Sequence, residues 1–252
     1  LGVIVNRIQT FVNNGYKEVV LTGVDITDYG KDLPGKPNLS QLIKRILNLV
    51  PNLMRLRLSS IDCAEITQDF WSILLDKRLM PHFHLSLQSG NNLILKRMKR
   101  RHTREQAITF CKKIKSLRPD ATFGADIIAG FPTETNEMFQ NSEKILDECD
   151  LTYLHIFPYS SRPNTPASKM PQVPQQIIKE RAKLLRIKAK KILKKFLNEQ
   201  IDKNHKVLFE SEIEGHSENF VPIITKTKQK IGDIVSVKGK YINNEKLVSQ
   251  VI

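Results

Sequence analysis

The side chains with the most chemistry to offer stand where apolar runs end. Ser86 and Gln88 close the run HFHLSLQ, and the turn Gln88-Ser89-Gly90 leads straight into an arginine-rich stretch. Arg100 follows twelve residues after Gln88. A guanidinium there suits two-pronged binding of a carboxylate, provided that the helix between them folds back toward the turn. Asp126 sits inside the apolar run Thr122 to Ile128. A carboxylate in such a run is costly without donors, and ribose hydroxyls would supply them. Gly130, just beyond, allows a flat ligand to approach closely. Phe157 and Tyr159 end a further run and could flank an adenine, although core packing explains them equally well. Near the start, Gly23 and Asp25 follow Glu18 to Leu21. A carboxylate there could bind the ammonium of an amino-acid-like ligand, but a turn-capping aspartate is the simpler explanation.

Positioning these groups requires strands that all end on one side. Five short apolar runs alternate with helical patterns: Glu18 to Gly23, Leu53 to Leu58, His82 to Leu87, Thr122 to Ile128 and Tyr153 to Phe157. Helices are expected over Leu39 to Leu49, Ile66 to Leu75, Leu93 to Met98, Glu105 to Leu117 and Thr135 to Cys149. Nearly continuous apolar strands separated by helices predict an α/β fold with a parallel sheet, a barrel or part of one. Sites in such folds lie at the C-terminal strand ends. Val3, Ile4, Ile8, Phe11 and Val12 predict an amphipathic helix ahead of the first strand.

Five prolines between Pro158 and Pro174 make a strap. Ile177 to Gln200 then carries nine Lys or Arg against two Glu and predicts a basic amphipathic helix. Its Lys188, Lys190, Lys191, Lys194 and Lys195 are candidates for RNA contact, with a solvated face as the plain alternative. From Lys206 on, short alternating runs with Gly215, Gly232 and Gly239 predict a small antiparallel barrel. The organisation expected is a core over 1–175, a basic linker helix over 176–205 and a small barrel over 206–252.

Charge and cysteine content narrow the classes. The formal net charge is +14 over 252 residues, which favours an anionic partner. No apolar stretch is long enough to span a membrane and no secretory signal pattern is present, so a cytoplasmic protein is expected. Cys63, Cys111 and Cys149 lie 48 and 38 residues apart, with no metal-binding or disulfide spacing. His82 and His84 share one face of a strand, a spacing that permits metal ligation but is read here as polar packing in a barrel interior. No catalytic triad, phosphate loop or HExxH helix is present, which counts against a simple acid-base barrel enzyme.

Taken in order, EVVLTGVDITDYG, RLRLSSID, HFHLSLQSG with LKRMKRRHT, DIIAGFPTE and HIFPYSSRPNTPA resemble the strand-end motifs of the radical S-adenosylmethionine methylthiotransferases that modify tRNA. The wording LTGVDITDYGKDLPG resembles the threonylcarbamoyladenosine branch more than the isopentenyladenosine branch. The segment from Lys206 is similar to their RNA-binding TRAM domain. This resemblance implies a partial (β/α) barrel with S-adenosylmethionine lying across the strand ends. It implies ribose and carboxylate contacts at Ser86, Gln88, Arg100 and Asp126, the amino group near Gly23 to Asp25, and the adenine near Gly130 and Phe157 to Tyr159. The implied reaction cleaves the cofactor reductively to a 5′-deoxyadenosyl radical, abstracts hydrogen at adenine C2 beside the anticodon and inserts a methylthio group. The implied partners are the tRNA anticodon stem-loop and a flavodoxin-type electron donor, with no DNA and no membrane.

Members of that family carry a CxxxCxxC motif for the radical 4Fe-4S cluster and three more cysteines for a second cluster. Neither set occurs in these 252 residues, and Leu1-Gly2 resembles the helix that follows the first motif. The expectation is therefore a fragment whose cluster ligands lie elsewhere, inactive by itself. The alternative is a non-catalytic remnant that at most binds tRNA.

Overall fold

The computed structural model describes residues 2–23 and 25–252. Leu1 and Val24, which fall within the expected first helix and first strand-end loop, lie outside the described residues. Five strands form one parallel sheet in chain order: β1 (Glu18–Leu21), β2 (Arg55–Ile61), β3 (Leu79–Gln88), β4 (Thr122–Ala129) and β5 (Leu151–Pro158). The helices are α1 (Gly2–Asn13), α2 (Leu39–Leu49), α3 (Phe70–Ile73), α4 (Asn92–Arg97), α5 (Arg104–Leu117), α6 (Asn136–Glu148) and α7 (Gln175–Asn198). Asn38 with Gln41 and Thr103 with Gln106 close reciprocal caps that start α2 and α5 at sharp points.

The strands are less uniformly apolar than the sequence suggests. Leu56, Leu58, Phe83, Leu85, Phe123, Ala125 and Ile127 point to one face and are buried under the helices. The opposite face alternates with them and carries Arg55, Arg57, His82, His84, Ser86, Asp126, Tyr153, His155 and Phe157. Two local expectations also shift. The helix foreseen over Ile66 to Leu75 shrinks to Phe70–Ile73, because Ile66 is extended and Asp69 makes no capping hydrogen bond. In α1 the expected Ile4, Ile8 and Val12 pack on the core together with Val5, while Val3, 81% exposed, and Phe11 turn outward.

Residues 204–251 form a closed barrel of β6 (Asn204–Phe209), β7 (Glu214–Ser217), β8 (Pro222–Thr225), β9 (Ile234–Asn243) and β10 (Lys246–Val251). It is not wholly antiparallel as expected. Closure is completed by a parallel pair, with Leu247 beside Ile223. Val207, Phe209, Val221, Ile223, Val237 and Leu247 fill it, together with Leu197 from α7. Farther up, α7 buries Ile178, Ala182 and Leu185 against the sheet unit, so this helix belongs to both cores.

The small barrel covers the N-terminal half of the sheet's polar face. Arg55 donates to the Lys206 carbonyl at 2.8 Å, Thr122 to the Asn219 carbonyl at 2.8 Å and the Tyr153 hydroxyl to the Phe220 carbonyl at 2.9 Å. Phe220, in a left-handed conformation at φ 68°, is sandwiched between His82 and His216, with ring centroids 4.7 and 4.5 Å away. Arg57 forks onto Glu18 at 2.8 and 3.0 Å while its guanidinium lies 5.1 Å from the Phe220 ring centre. Glu18 gives both buried arginines counter-charge, Arg57 through the fork and Arg55 at 3.7 Å, while one Arg55 nitrogen has no hydrogen-bond partner among the described residues. The C-terminal half of the polar face stays open. Among the described residues no helix is long and apolar enough to cross a membrane.

Candidate functional site

The open half of the face is built around the end of β3. Gln88 has φ 64°, a left-handed conformation uncommon for a residue with a side chain, and strain of this kind gathers at ligand sites. Ser89 and Gly90 behind it are locked onto α6. Ser142 accepts from the Gly90 amide at 3.0 Å, and a Cβ on Gly90 would stand 2.4 Å from the Asn141 carbonyl oxygen. Only Gln88 of the turn is therefore left to face the site.

Arg100 does come back to it. Helix α4 stops at Arg97, Lys99 takes φ 59°, and the Arg100 amide donates to the Leu95 carbonyl at 2.9 Å, which reverses the chain. Gln88 and Arg100 then line one recess of about 340 Å³ with Met98, Ile128, Phe131 and Pro166. Next to Phe131, the Tyr159 ring packs edge-on at 5.4 Å, and its buried hydroxyl has no partner among the described residues. A buried hydroxyl in this state calls for a ligand group or water.

Lower on the same face lie Ser86 and Asp126, while Phe157 stands beside Ile128 near the level of Gln88. Ser86 and Asp126 are partly buried, whereas Phe157 is 51% exposed on β5. The His84 Nε2 atom stands 3.2 Å from an Asp126 oxygen. Burial lowers the pKa of His84 despite that carboxylate. His155, the register partner of Asp126 on β5, is exposed with its ring 5.8 Å from that of His84. The sequence reading did not single out His155; the alternation Tyr153, His155, Phe157 along LTYLHIFP was the signal for it.

Two sequence candidates are used otherwise. Asp25 caps a short 3-10 turn by accepting from the Thr27 amide at 3.0 Å, and its other oxygen pairs with Arg101 at 2.7 Å. Arg101 also meets Asp28 at 3.0 Å and Glu65 at 2.9 Å, so Asp25 belongs to a charge cluster on the rim rather than standing free for an ammonium. Gly23 lies in open loop backbone, with only Ile26 near its absent side chain. Gly130 has φ 74°, but the space a side chain would need is filled by Ile178 of α7, 2.6 Å from the Cβ position. Close helix packing by itself suffices to require a glycine here. The same loop is held by Glu134, which accepts from the Gly130 amide at 2.9 Å and from Arg181 of α7 at 2.9 Å.

Of the candidate RNA contacts, Lys188 donates to Asp147 at 2.6 Å and to the Glu143 carbonyl at 2.7 Å. Lys190, Lys191, Lys194 and Lys195 are exposed on α7 and make no ion pair among the described residues.

The thiols do not fit an iron–sulfur cluster. Desolvation pushes the Cys63 thiol up to about 12, and the neighbouring Cys149 together with burial raises Cys111, surroundings without the positive charge that favours thiolates. Among the described residues, the His, Cys, Asp and Glu groups whose ligand atoms converge within 4.8 Å are Asp62, Cys63 and His102, and His84, Asp126 and His155. Neither holds three sulfurs.

Comparison with known proteins agrees with this layout. The Radical SAM superfamily pattern matches residues 1–146. The threonylcarbamoyladenosine tRNA methylthiotransferase MtaB of Rickettsia prowazekii is 53% identical over 235 residues, 93% of this chain and 56% of that protein. Its namesake from Aquifex aeolicus is 36% identical over 93% of this chain and 57% of its own length. The tRNA-2-methylthio-N(6)-dimethylallyladenosine synthase of Shouchella clausii is 34% identical over 93% of this chain and 47% of its own length. The chain thus spans about half the length of the curated relatives it matches. With five strands in one parallel sheet, and with the superfamily pattern running through more than half of its residues, the chain belongs to the radical SAM superfamily.

Proposed function

We propose that this chain is the cofactor-binding and RNA-facing body of a tRNA methylthiotransferase acting at C2 of a threonylcarbamoyl-modified adenosine beside the anticodon. The observation that carries the reading is the 53% identity to a protein named for that substrate, which runs over 93% of the chain. The site geometry supports it. The recess shared by Gln88 and Arg100 suits the carboxylate and ribose side of S-adenosylmethionine, with Ser86 and Asp126 as further hydrogen-bonding groups. Phe157 and Tyr159 would flank the adenine, and the unpartnered Tyr159 hydroxyl is free to meet it. Backbone near Gly23 would meet the amino group, since Asp25 is held by Arg101.

When bound, S-adenosylmethionine and the two iron–sulfur clusters of the resembled family supply the radical chemistry and the electrons, the latter from a flavodoxin-type donor. The cluster ligands are not among these 252 residues, so the activity is assigned to a longer protein and this chain alone is expected to be inactive. What its own residues do is hold the cofactor, shield the lower half of the sheet and present RNA-binding charge. The small barrel is read as TRAM-like, and Lys190, Lys191, Lys194 and Lys195 offer phosphate contacts beside it, with Lys188 less available. A purely tRNA-binding remnant is the second reading, favoured by the lack of three converging thiols.

Calorimetric titration with S-adenosylmethionine tests the pocket. One-to-one binding is expected, weakened at least tenfold by Gln88→Ala or Asp126→Ala; unchanged affinity in both variants would remove the assigned site. Anaerobic iron-sulfide reconstitution tests the missing ligands, and stoichiometric uptake of a four-iron cluster by this chain would sink that part of the proposal.

A further inference from the structure

We propose that His84, Asp126 and His155 form a binding site for a borderline divalent transition ion such as Zn²⁺ or Co²⁺, with an open coordination position facing the exposed half of the sheet. The three residues come from adjacent parallel strands, β3, β4 and β5, and project from the same polar face, Asp126 and His155 in register and His84 two residues lower, opposite Gly124. Their ligand atoms all lie within 4.8 Å of one another. A tetrahedral ion with nitrogen and oxygen ligands at roughly 2.0–2.1 Å needs neighbouring donors about 3.3 Å apart. His84 Nε2 and the Asp126 oxygen are already 3.2 Å apart. Only His155 must close in, and its exposed side chain is free to do so.

An ordinary histidine–aspartate hydrogen bond would explain His84 and Asp126 but leaves His155 without a role, since its ring makes no hydrogen bond among the described residues. The site is also built from beneath. Gly124, the register partner of His84, leaves room for its ring: a Cβ there would stand 2.7 Å from His84 Nδ1. With Nδ1 pressed against backbone, Nε2 is the nitrogen turned toward Asp126 and the open face. Two imidazoles and one carboxylate suit zinc, cobalt, nickel or ferrous iron over magnesium or calcium, which prefer oxygen donors. Three protein ligands leave one position for water or a substrate atom, the pattern of reactive sites rather than structural ones. The second oxygen of Asp126 stays available to another donor.

The test is titration of the metal-free chain with Co²⁺ alone, followed by visible absorption and equilibrium dialysis, with Zn²⁺ added as competitor. One equivalent of Co²⁺ with a tetrahedral spectrum is expected, displaced by Zn²⁺. His155→Ala, a change at an exposed position that should not disturb folding, is expected to weaken binding by at least the roughly 10–100-fold seen when outer-sphere partners are lost. Asp126→Asn should do the same with the fold confirmed by circular dichroism. Absence of saturable binding, or an affinity unchanged by His155→Ala, would overturn the site; the latter would move the ion to Asp62, Cys63 and His102 or to His216 and Glu210. Because Asp126 is also assigned to the cofactor, His155→Ala is the change that separates the two readings: it should weaken metal binding and leave S-adenosylmethionine affinity at Gln88 and Arg100 unaltered.

Discussion

Lowering the pH from 7 to 5 should loosen the joint between the sheet and the small barrel, and His82 sets the size of the effect. Its ring is 6% exposed, bonded to Thr122 at 2.9 Å and stacked on Phe220. Burial first, then the nearby Arg57, His84 and His216 charges, push its pKa from 6.5 down to about 3. A histidine with a depressed folded-state pKa stays neutral in the native protein while the unfolded chain takes up a proton. Its contribution to stability is therefore complete above about pH 6.5 and is lost as the pH falls toward 3. From pH 7 to pH 5, with a folded value near 3, the loss works out at about 2 kcal/mol. The assay is urea denaturation at both pH values for the unaltered chain and for His82→Phe, which keeps an aromatic ring against Phe220 but cannot titrate. The variant shifts the baseline by losing the Thr122 hydrogen bond, but that cancels in the difference between the two pH values, as do the other buried histidines. The unaltered chain should lose about 2 kcal/mol more than His82→Phe. Equal losses would refute the claim that a neutral His82 is required under the barrel.

Replacing Lys190, Lys191, Lys194 and Lys195 together by Ala should weaken tRNA binding in a filter or fluorescence assay. It should also flatten the salt dependence of log K by about 3, from roughly 0.7–0.9 per lost phosphate contact. Lys188→Ala alone should leave that slope nearly unchanged, because its ammonium is held by Asp147 and the Glu143 carbonyl. Arg181→Met should cost about 3–5 kcal/mol in denaturant unfolding, since it strands the buried Glu134, whose Oε1 already lacks a partner. Adding Glu134→Gln should recover much of that loss; no recovery would mean that Arg181 acts by packing on Phe139 instead.

Much of the architecture was legible. Short apolar runs and period-3.6 patterns placed five strands and most helices near their observed ends, and the proline cluster marked the strap before α7. The features that escaped depend on contacts between distant segments. Arg55 and Arg57 alternate visibly in RLRLSSID, yet only Glu18 and the distant carbonyls of Lys206, Ser217 and Glu218 explain why they are tolerated inside. Nothing near Gly130 in the sequence announces that Ile178, far along the chain, fills the space a side chain would need. Asp25 looks equally like a cap or an ammonium partner, and Arg101, far along the chain, decides for the cap.

The sequence by itself determined the class of fold, the net charge that favours an anionic partner and the wide spacing of its three cysteines, because each follows from local pattern or from counting. Only the tertiary structure decided which residues meet. Arg100 reaches Gln88 through a left-handed turn at Lys99, His155 joins His84 and Asp126 through strand register, and the small barrel closes half of the polar face by stacking Phe220 on His82. Register and docking are set by burial summed over many separated residues, and no short stretch of sequence carries that sum.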